Sequence, residues 1–482
     1  MKYKIFSVAV LFLLVLSCKN DDDNGMPPSA SANDFVWKAL NLWYYWQETS
    51  ADLADNRFSS DNEYHNFINS KQTDELFFHF LYHYGNTDRF SWIVDDYHDL
   101  QNTFASINKS FGMKYGLVYI NPNSNQVFGY IQYVLPSSPA SISGLKRGDI
   151  FTRINGVTLT DQNYMELLGE DTATFGLGYI EDGQVLNSDT EVSITKVQLQ
   201  ENPVLHSEVL TIDSHKIGYL VYNGFRANFN DELNDAIGEL KSQGITDLVL
   251  DLRYNGGGSV LTSAYLGSMV TGQFNQELFT QLTFNSKTSN NNRQYKFETE
   301  GKIYDNNLEE TGSFPIHHLN LTKVYVLTTG NSASASEMLI SCLAPYIEVI
   351  TIGTKTYGKT VGSITLYDSP QDYYTSTDHL NPSHTWAMQP IVFDYKNSQS
   401  QSSPGMGIEP DHLINEIHYL ENLPKLGDPE EPFLDMAISQ ITNSAPRFNP
   451  QTTAQARLFK TSQSFERFGT EMYLEKGVHL NP

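Results

Sequence analysis

Between Asp34 and about Leu100, apolar and aromatic residues recur at spacings near three and four: Phe35, Val36, Leu40, Trp43, Tyr44 and Trp46, then Leu76, Phe77, Phe80 and Leu81. That period places them on one face of each of several helices and predicts a small helical domain over residues 34–108, its stripes packed as a core. A peptide- or glycan-gripping surface is the alternative use of such stripes. From about Phe111 the texture changes to short β-branched and aromatic runs broken by Gly, Pro and Asn, such as Val118-Tyr119-Ile120 and Tyr130-Ile131-Gln132-Tyr133-Val134. These predict a β-rich domain over 109–203. Beyond Ile217 strands and helices alternate. A strand over 218–222, a helix over 232–243, a buried strand over 248–250 and a glycine turn are followed by a strand over 324–327, a helix starting near Ala335 and a strand over 349–352. This is the pattern of an α/β domain, placed at 204–421. Phe433, Met436, Ala437 and Ile441 return at helical spacing and predict a C-terminal helical extension over 422–482.

Composition narrows the function classes. The 482 residues suffice for about three domains, and 40% hydrophobic with 12% aromatic residues supplies enough apolar surface to fold them. A net charge of −25 repels a phosphate backbone, which argues against nucleic acid as a partner. The start of the chain reads as an export signal: Lys2 and Lys4, an apolar run over 5–16, then Ser17-Cys18. That run is short for a bilayer span and lacks a stop-transfer flank. A small residue followed by Cys resembles the bacterial lipobox, which implies removal of residues 1–17 and lipidation of Cys18; an ordinary signal peptide with an incidental Cys is the alternative. Residues 18–33 then read as a flexible tether. Its acidic run, Asp21-Asp22-Asp23, resembles the surface-export signal of some Bacteroidetes lipoproteins, although a solvated charge run would look the same. The expected location is the cell envelope, lipid-anchored, on the periplasmic side or at the outer-membrane surface. With Cys18 used as an anchor, Cys342 has no partner for a disulfide in the folded body, and on its helix it reads as a small buried apolar residue.

In the β-rich region, Ser137-Ser138-Pro139-Ala140 leads through Gly144-Leu145 and Gly148-Asp149-Ile150 to Ile154-Asn155-Gly156. Local rules predict a short helical turn, a glycine stop, a strand and an Asn-Gly hairpin. These residues resemble the signature of PDZ domains, which bind extended C-terminal peptides by strand addition with backbone amides on the terminal carboxylate. The resemblance implies a carboxylate-binding loop at Tyr115-Gly116-Leu117.

Three points in the α/β domain could carry chemistry. The strand ending at Asp251 runs into Asn255-Gly256-Gly257-Gly258, whose bare amides could face a ligand or simply form a tight turn. Thr328 leads to Asn331-Ser332-Ala333-Ser334-Ala335-Ser336-Glu337; Ser334-x-x-Glu337 fits a capping box, and the same helix N-terminus would stabilise a developing anion. Gly353-Thr354-Lys355-Thr356-Tyr357-Gly358-Lys359-Thr360 spells a phosphate loop, but Val361 to Tyr367 is strand-like, where that motif needs a helix. The histidine pairs His317-His318 and His379/His384 lack a ligand frame and read as structural, so no metal is expected.

Together these elements resemble the C-terminal processing, or tail-specific, peptidases, a Ser/Lys family that joins a PDZ domain to a crotonase-like α/β core. The likeness runs from about Phe111 to Asp411 and includes Gly405-x-Gly407-Ile408-x-Pro410-Asp411. It implies a multidomain α/β protein: a crotonase-like catalytic core, an inserted or preceding β-rich PDZ domain, and a small helical N-terminal domain. It implies Ser334 as nucleophile, Lys359 as general base, and the amides of Ala335 and Gly257 as oxyanion donors, without a cofactor. The base must be neutral, so Lys359 must be desolvated; Ile350, Ile352 and Tyr357 are the expected apolar neighbours. Many relatives carry a Gln four residues after the lysine, where this chain has Ser363, which leaves the residue that orients Lys359 unassigned. The implied partners are protein or peptide substrates held by their C-terminal tails. A peptide-binding lipoprotein without turnover is the rival reading.

Overall fold

The computed structural model describes residues 28–447, 456–466, 468–475 and 480–481. The expected export signal, Cys18 and the acidic run lie outside them. Among the described residues no helix is long and apolar enough to cross a membrane.

Helix α1 (Pro28–Trp43) begins inside the segment expected to be tether. Helices α2 (Asp61–Ile68), α3 (Thr73–Phe80) and α4 (Tyr97–Phe104) follow, α2 capped by Ser60, whose side chain accepts from the Glu63 amide. The aromatic stripe is core: Phe35, Val36, Leu40, Trp43, Tyr44, Leu76, Phe77 and Phe80 are fully buried, each contributing on the order of 1.5–3 kcal/mol. That core is continuous with the α/β domain, because the same cluster takes in Leu250, Leu266 and Phe393. Asn285 Nδ2 adds hydrogen bonds to the carbonyls of Leu42 and Tyr44. The helices therefore flank the α/β body and share its core.

The β-rich region is one antiparallel sheet containing β1 (Met113–Tyr119), β2 (Val127–Val134), β3 (Ile150–Ile154), β4 (Thr172–Glu181) and β5 (Gln184–Thr195), with α5 (Tyr164–Gly169) between β3 and β4. The expected helical turn is Pro139–Ile142, stopped by Gly144 at φ +83°. The hairpin turns at Asn155 and Gly156, both at positive φ. Tyr115, Gly116 and Leu117 lie in mid-strand in β1, paired with β2. They form no loop, because the alternating apolar run around them is satisfied by strand pairing.

The α/β body holds a six-stranded sheet, in which β6 (Val204–Ile212) pairs antiparallel with β7 (His215–Tyr222) and then β8 (Asp247–Asp251), β10 (Lys323–Thr328), β11 (Glu348–Gly353) and β14 (His412–Leu413) continue in parallel. Helices α6 (Asn230–Ser242), α7 (Val260–Val270) and α8 (Ala335–Leu343) connect them. Val249, Leu250, Val326, Leu327 and Ile352 are fully or almost fully buried, as expected of parallel strands covered on both faces. A second sheet contains β9 (Gly258–Ser259), β12 (Val361–Ser363) and β13 (Ile391–Lys396).

The C-terminal segment departs most from expectation. Helix α9 (Pro432–Thr442) forms as its pattern predicts, with Glu431 accepting from the amides of Phe433 and Leu434 and Asn443 closing it at positive φ. Among the described residues that follow, β15 (Arg457–Thr461) joins the β-rich sheet beside β1, a 3-10 turn spans Ser462–Phe465, and β16 (Met472–Tyr473) enters the second sheet between β9 and β12.

Candidate active site

Parallel strands deliver their C-terminal ends to one edge, and β8, β10 and β11 bring the three predicted segments together there. Past β10 the chain turns through Thr329 to Ala333 and enters α8 at Ser334, which adopts φ +63°, ψ −114° and is completely buried. A non-glycine residue held there is strained, on the order of 1–3 kcal/mol, and persists because its surroundings over-determine it. Ser332 Oγ donates to the Leu252 carbonyl (2.8 Å) and Ser336 Oγ to that of Asn255 (3.0 Å). Ser334 Oγ has no hydrogen-bond partner. The predicted capping box is thus half made. Glu337 accepts from the Ser334 amide (2.8 Å), while the serine hydroxyl at the positive end of α8 is left unspent.

Glu337 does more than cap. Its carboxylate also accepts from the amides of Gly358 (2.7 Å) and Lys359 (2.9 Å) and from Thr356 Oγ1, so one buried side chain ties the start of α8 to the segment carrying the lysine. Lys359 is completely buried. Burial pushes its pKa below the usual lysine value, against the opposing pull of Glu471, Asp88 and Glu337. Its dry surroundings come partly from an unforeseen place: the Phe90 ring lies 5.2 Å from Nζ, whereas Tyr357 is 40% exposed. After Thr360 the chain enters β12, so no helix follows the G-x-x-x-x-G-K-T string and no phosphate cradle forms.

The glycine turn presses against the serine. A Cβ on Gly257 would stand 2.7 Å from Ser334 Cβ, and the residue sits at φ +106°. Its amide donates to Asn255 Oδ1 (2.9 Å), so an oxyanion role would require that bond to open. Ala335 is the first residue of α8.

Lys359 Nζ donates to Glu471 Oε2 at 3.2 Å. Ser363 Oγ donates to the Met472 carbonyl (3.1 Å), contacts Glu471 Oε2 (3.3 Å) and accepts from Gln389 Nε2 (3.0 Å). Trp92 Nε1 holds the other Glu471 oxygen at 3.0 Å. Glu471, Trp92, Phe90 and Gln389 were all missed by sequence reasoning, since none belongs to a motif and Glu471 stands 112 positions from the lysine.

A sequence profile described as peptidase family S41 matches residues 216–414, the span that contains Gly257, Ser334 and Lys359. The chain is 25% identical over 330 residues to the carboxyl-terminal-processing protease of Synechocystis, covering 67% of this chain and 66% of that protein. It is 23% identical over 371 residues to a CtpA-like serine protease of Staphylococcus aureus, covering 71% and 66%. The chain thus spans just under two thirds of the length of these curated relatives. A crystal structure titled as an S41 protease candidate from Bacteroides fragilis superposes with a TM-score of 0.66 at 26% identity, over 85% of this chain and 97% of that one. Residues 216–414 of the chain are thus similar to peptidase family S41, and the likeness to these proteases extends over about two thirds of the chain. The S41 match ends before Glu471 and the strands β15 and β16, so the group on Lys359 comes from outside it.

Cys342 is buried, and burial pushes its thiol up to about 12, which leaves it inert. His379 and His384 pair with Asp372 and Asp368. Among the described residues no cluster could hold a metal ion.

Proposed function

We propose that the chain is a serine endopeptidase of the cell envelope, anchored by lipid at Cys18, that hydrolyses protein or peptide substrates with Ser334 as nucleophile and Lys359 as general base. The observation that carries this reading is Ser334: a buried serine in a strained conformation at a helix N-terminus, its hydroxyl unspent while both neighbouring serines are bonded to the turn. Neutral Lys359 takes the Ser334 proton as Oγ attacks the scissile carbonyl, and the oxyanion develops toward the Ala335 amide at the positive end of α8, with Gly257 as second donor once its bond to Asn255 opens. The lysine ammonium protonates the leaving amine, and water then releases the acyl group by the reverse sequence. No cofactor enters these steps. The β-rich domain is read as a PDZ domain that grips substrate by strand addition along β1.

One observation favours the rival reading of a silent peptide binder: Lys359 Nζ is bonded to Glu471 and not to Ser334. The deciding experiment is hydrolysis of an unfolded protein by residues 28–482 and by Ser334→Ala. The expected loss is on the order of 10⁶-fold, as for removal of other serine nucleophiles, with a melting temperature within a few degrees because Oγ makes no bond to lose. Turnover retained in Ser334→Ala overturns the assignment.

A further inference from the structure

The segment holding β15 and β16 follows the path that a substrate of the proposed peptidase would take. Strand β15 lies antiparallel on β1, with Arg457 opposite Tyr119, Leu458 opposite Val118 and Thr461 opposite Gly116. Phe459 lies between the two walls of a groove, 5.2 Å from the ring of Tyr119 on β1 and 5.2 Å from that of Tyr164 on α5. Arg457 stacks over Tyr119 at 4.2 Å, and Phe465 packs on Tyr164 at 5.1 Å. The antiparallel pairing of strand addition is present, with an internal segment as the added strand and a register shift between Leu458 and Lys460. The backbone around Tyr115-Gly116-Leu117 is engaged by mid-chain residues, including Ser462 Oγ on the Tyr115 amide (3.2 Å).

From the groove the tail crosses the catalytic turn. Thr461 Oγ1 and Gln463 Nε2 bond Asn331 (both 2.9 Å), three positions before Ser334. The Gly469 carbonyl lies 1.7 Å from where a Cβ on Gly256 would stand, and the Glu471 carbonyl 2.4 Å from that of Gly257, the same position that Ser334 Cβ approaches to 2.7 Å. Glu471 then holds Lys359. The charged groups that act on Lys359 are Glu471, Asp88 and Glu337, all acidic. A carboxylate at that distance favours the ammonium form and so opposes the base. The result is a nucleophile with no exposure and a base turned to another partner.

We infer that the C-terminal segment is a ligand of its own chain, filling the β1/α5 groove and the catalytic turn together, and that an extended peptide must displace β15 before Ser334 and Lys359 can act. The inference rests on the peptidase reading for its consequence but not for its contacts. Met472 and Tyr473 of β16 are buried in the core while Leu458 of β15 is 43% exposed, so β15 leaves first, and Glu471, next to β16, must then release Lys359.

The test uses the full chain from residue 28 and a synthetic peptide of residues 456–466, in two arms. In the Ser334→Ala background, calorimetry compares peptide binding with and without Phe459→Ala, which loosens the resident strand. Binding at least tenfold tighter in the Phe459→Ala chain is expected, because the tethered strand competes at high effective concentration; equal affinity overturns the inference. With Ser334 intact, Phe459→Ala and Glu471→Gln should each raise kcat/KM for an unfolded protein at neutral pH by about tenfold or more. A tenfold fall in Glu471→Gln would make Glu471 a positioning residue for the lysine and overturn the inhibitory role. If the peptide competes as expected while no variant hydrolyses anything, the groove occupant stands and the peptidase reading fails.

Discussion

Arg253 and Lys359 are both completely buried cations facing carboxylates, yet the surroundings push them in opposite directions. Arg253 donates to both oxygens of Asp251 and, at 2.6 and 3.0 Å, to both of Glu431, and its guanidinium lies 4.3 Å over the Phe433 ring. Burial alone would lower its pKa, but Asp251 and Glu431 outweigh that and raise it well above the ordinary value. Lys359 has one contact with a carboxylate, at 3.2 Å, and there burial prevails. The planar fork of arginine makes several directed bonds at once, where an ammonium on a flexible stem makes few. The arginine site serves construction. Arg147, from the β-rich domain, shares Glu431 at 3.1 Å and also reaches Glu416 at 2.7 Å, and so locks that domain to the α/β body. At the lysine site burial outweighs the single carboxylate and lowers the pKa.

The comparison can be broken in three ways. The largest effect is expected from Arg253→Met, which leaves Asp251 buried without its cation and Glu431 with Arg147 as its remaining one. Urea unfolding should show a loss of about 3–5 kcal/mol, and a loss below about 1 kcal/mol would mean that the network contributes little. Lys359→Met should cost less, under about 2 kcal/mol, because Glu471 keeps the indole of Trp92 and the hydroxyl of Ser363 as partners. The same variant tests the sign of the pKa shift. A lysine depressed in the folded state binds fewer protons than the unfolded chain between its folded pKa and about 10.4, so stability from this group rises with pH across that window. Wild-type denaturation midpoints should therefore gain on those of Lys359→Met as pH rises toward 10; a relative decline would show that Glu471 has won over burial. Hydrolysis should climb through the same limb. The smallest effect belongs to Lys323 and Glu348, 2.8 Å apart at the exposed ends of β10 and β11. Lys323→Ala should change stability by less than about 1 kcal/mol, and salt should erase what there is.

How much was legible beforehand depended on distance along the chain. The aromatic stripes, the Asn155-Gly156 hairpin, the alternation of strand and helix around Ser334 and the strand after Lys359 were all readable, and the glycine turn does meet the serine. The start of α1 inside the expected tether was missed because Pro28 to Asn33 is small and polar, a composition that favours linkers unless tertiary packing holds it. The loop expected at Tyr115-Gly116-Leu117 came from likeness, and the periodicity of the residues themselves points to a strand.

What the sequence by itself determined is everything held by short-range rules: which residues alternate or recur on one face, where glycine and Asn-Gly permit a turn, and which serine and lysine stand next to a strand end. Only the tertiary structure decided that the helices share the α/β core, that Arg147 and Arg253 meet two glutamates of a distant segment, and that the tail runs back through the β1 groove to set Glu471 on Lys359. The physical reason is that hydrogen bonds within a turn or a strand leave a period in the chain, while a buried ion pair between residues 112 positions apart leaves none. Such a pair exists because the folded surroundings exclude water and bring the partners together.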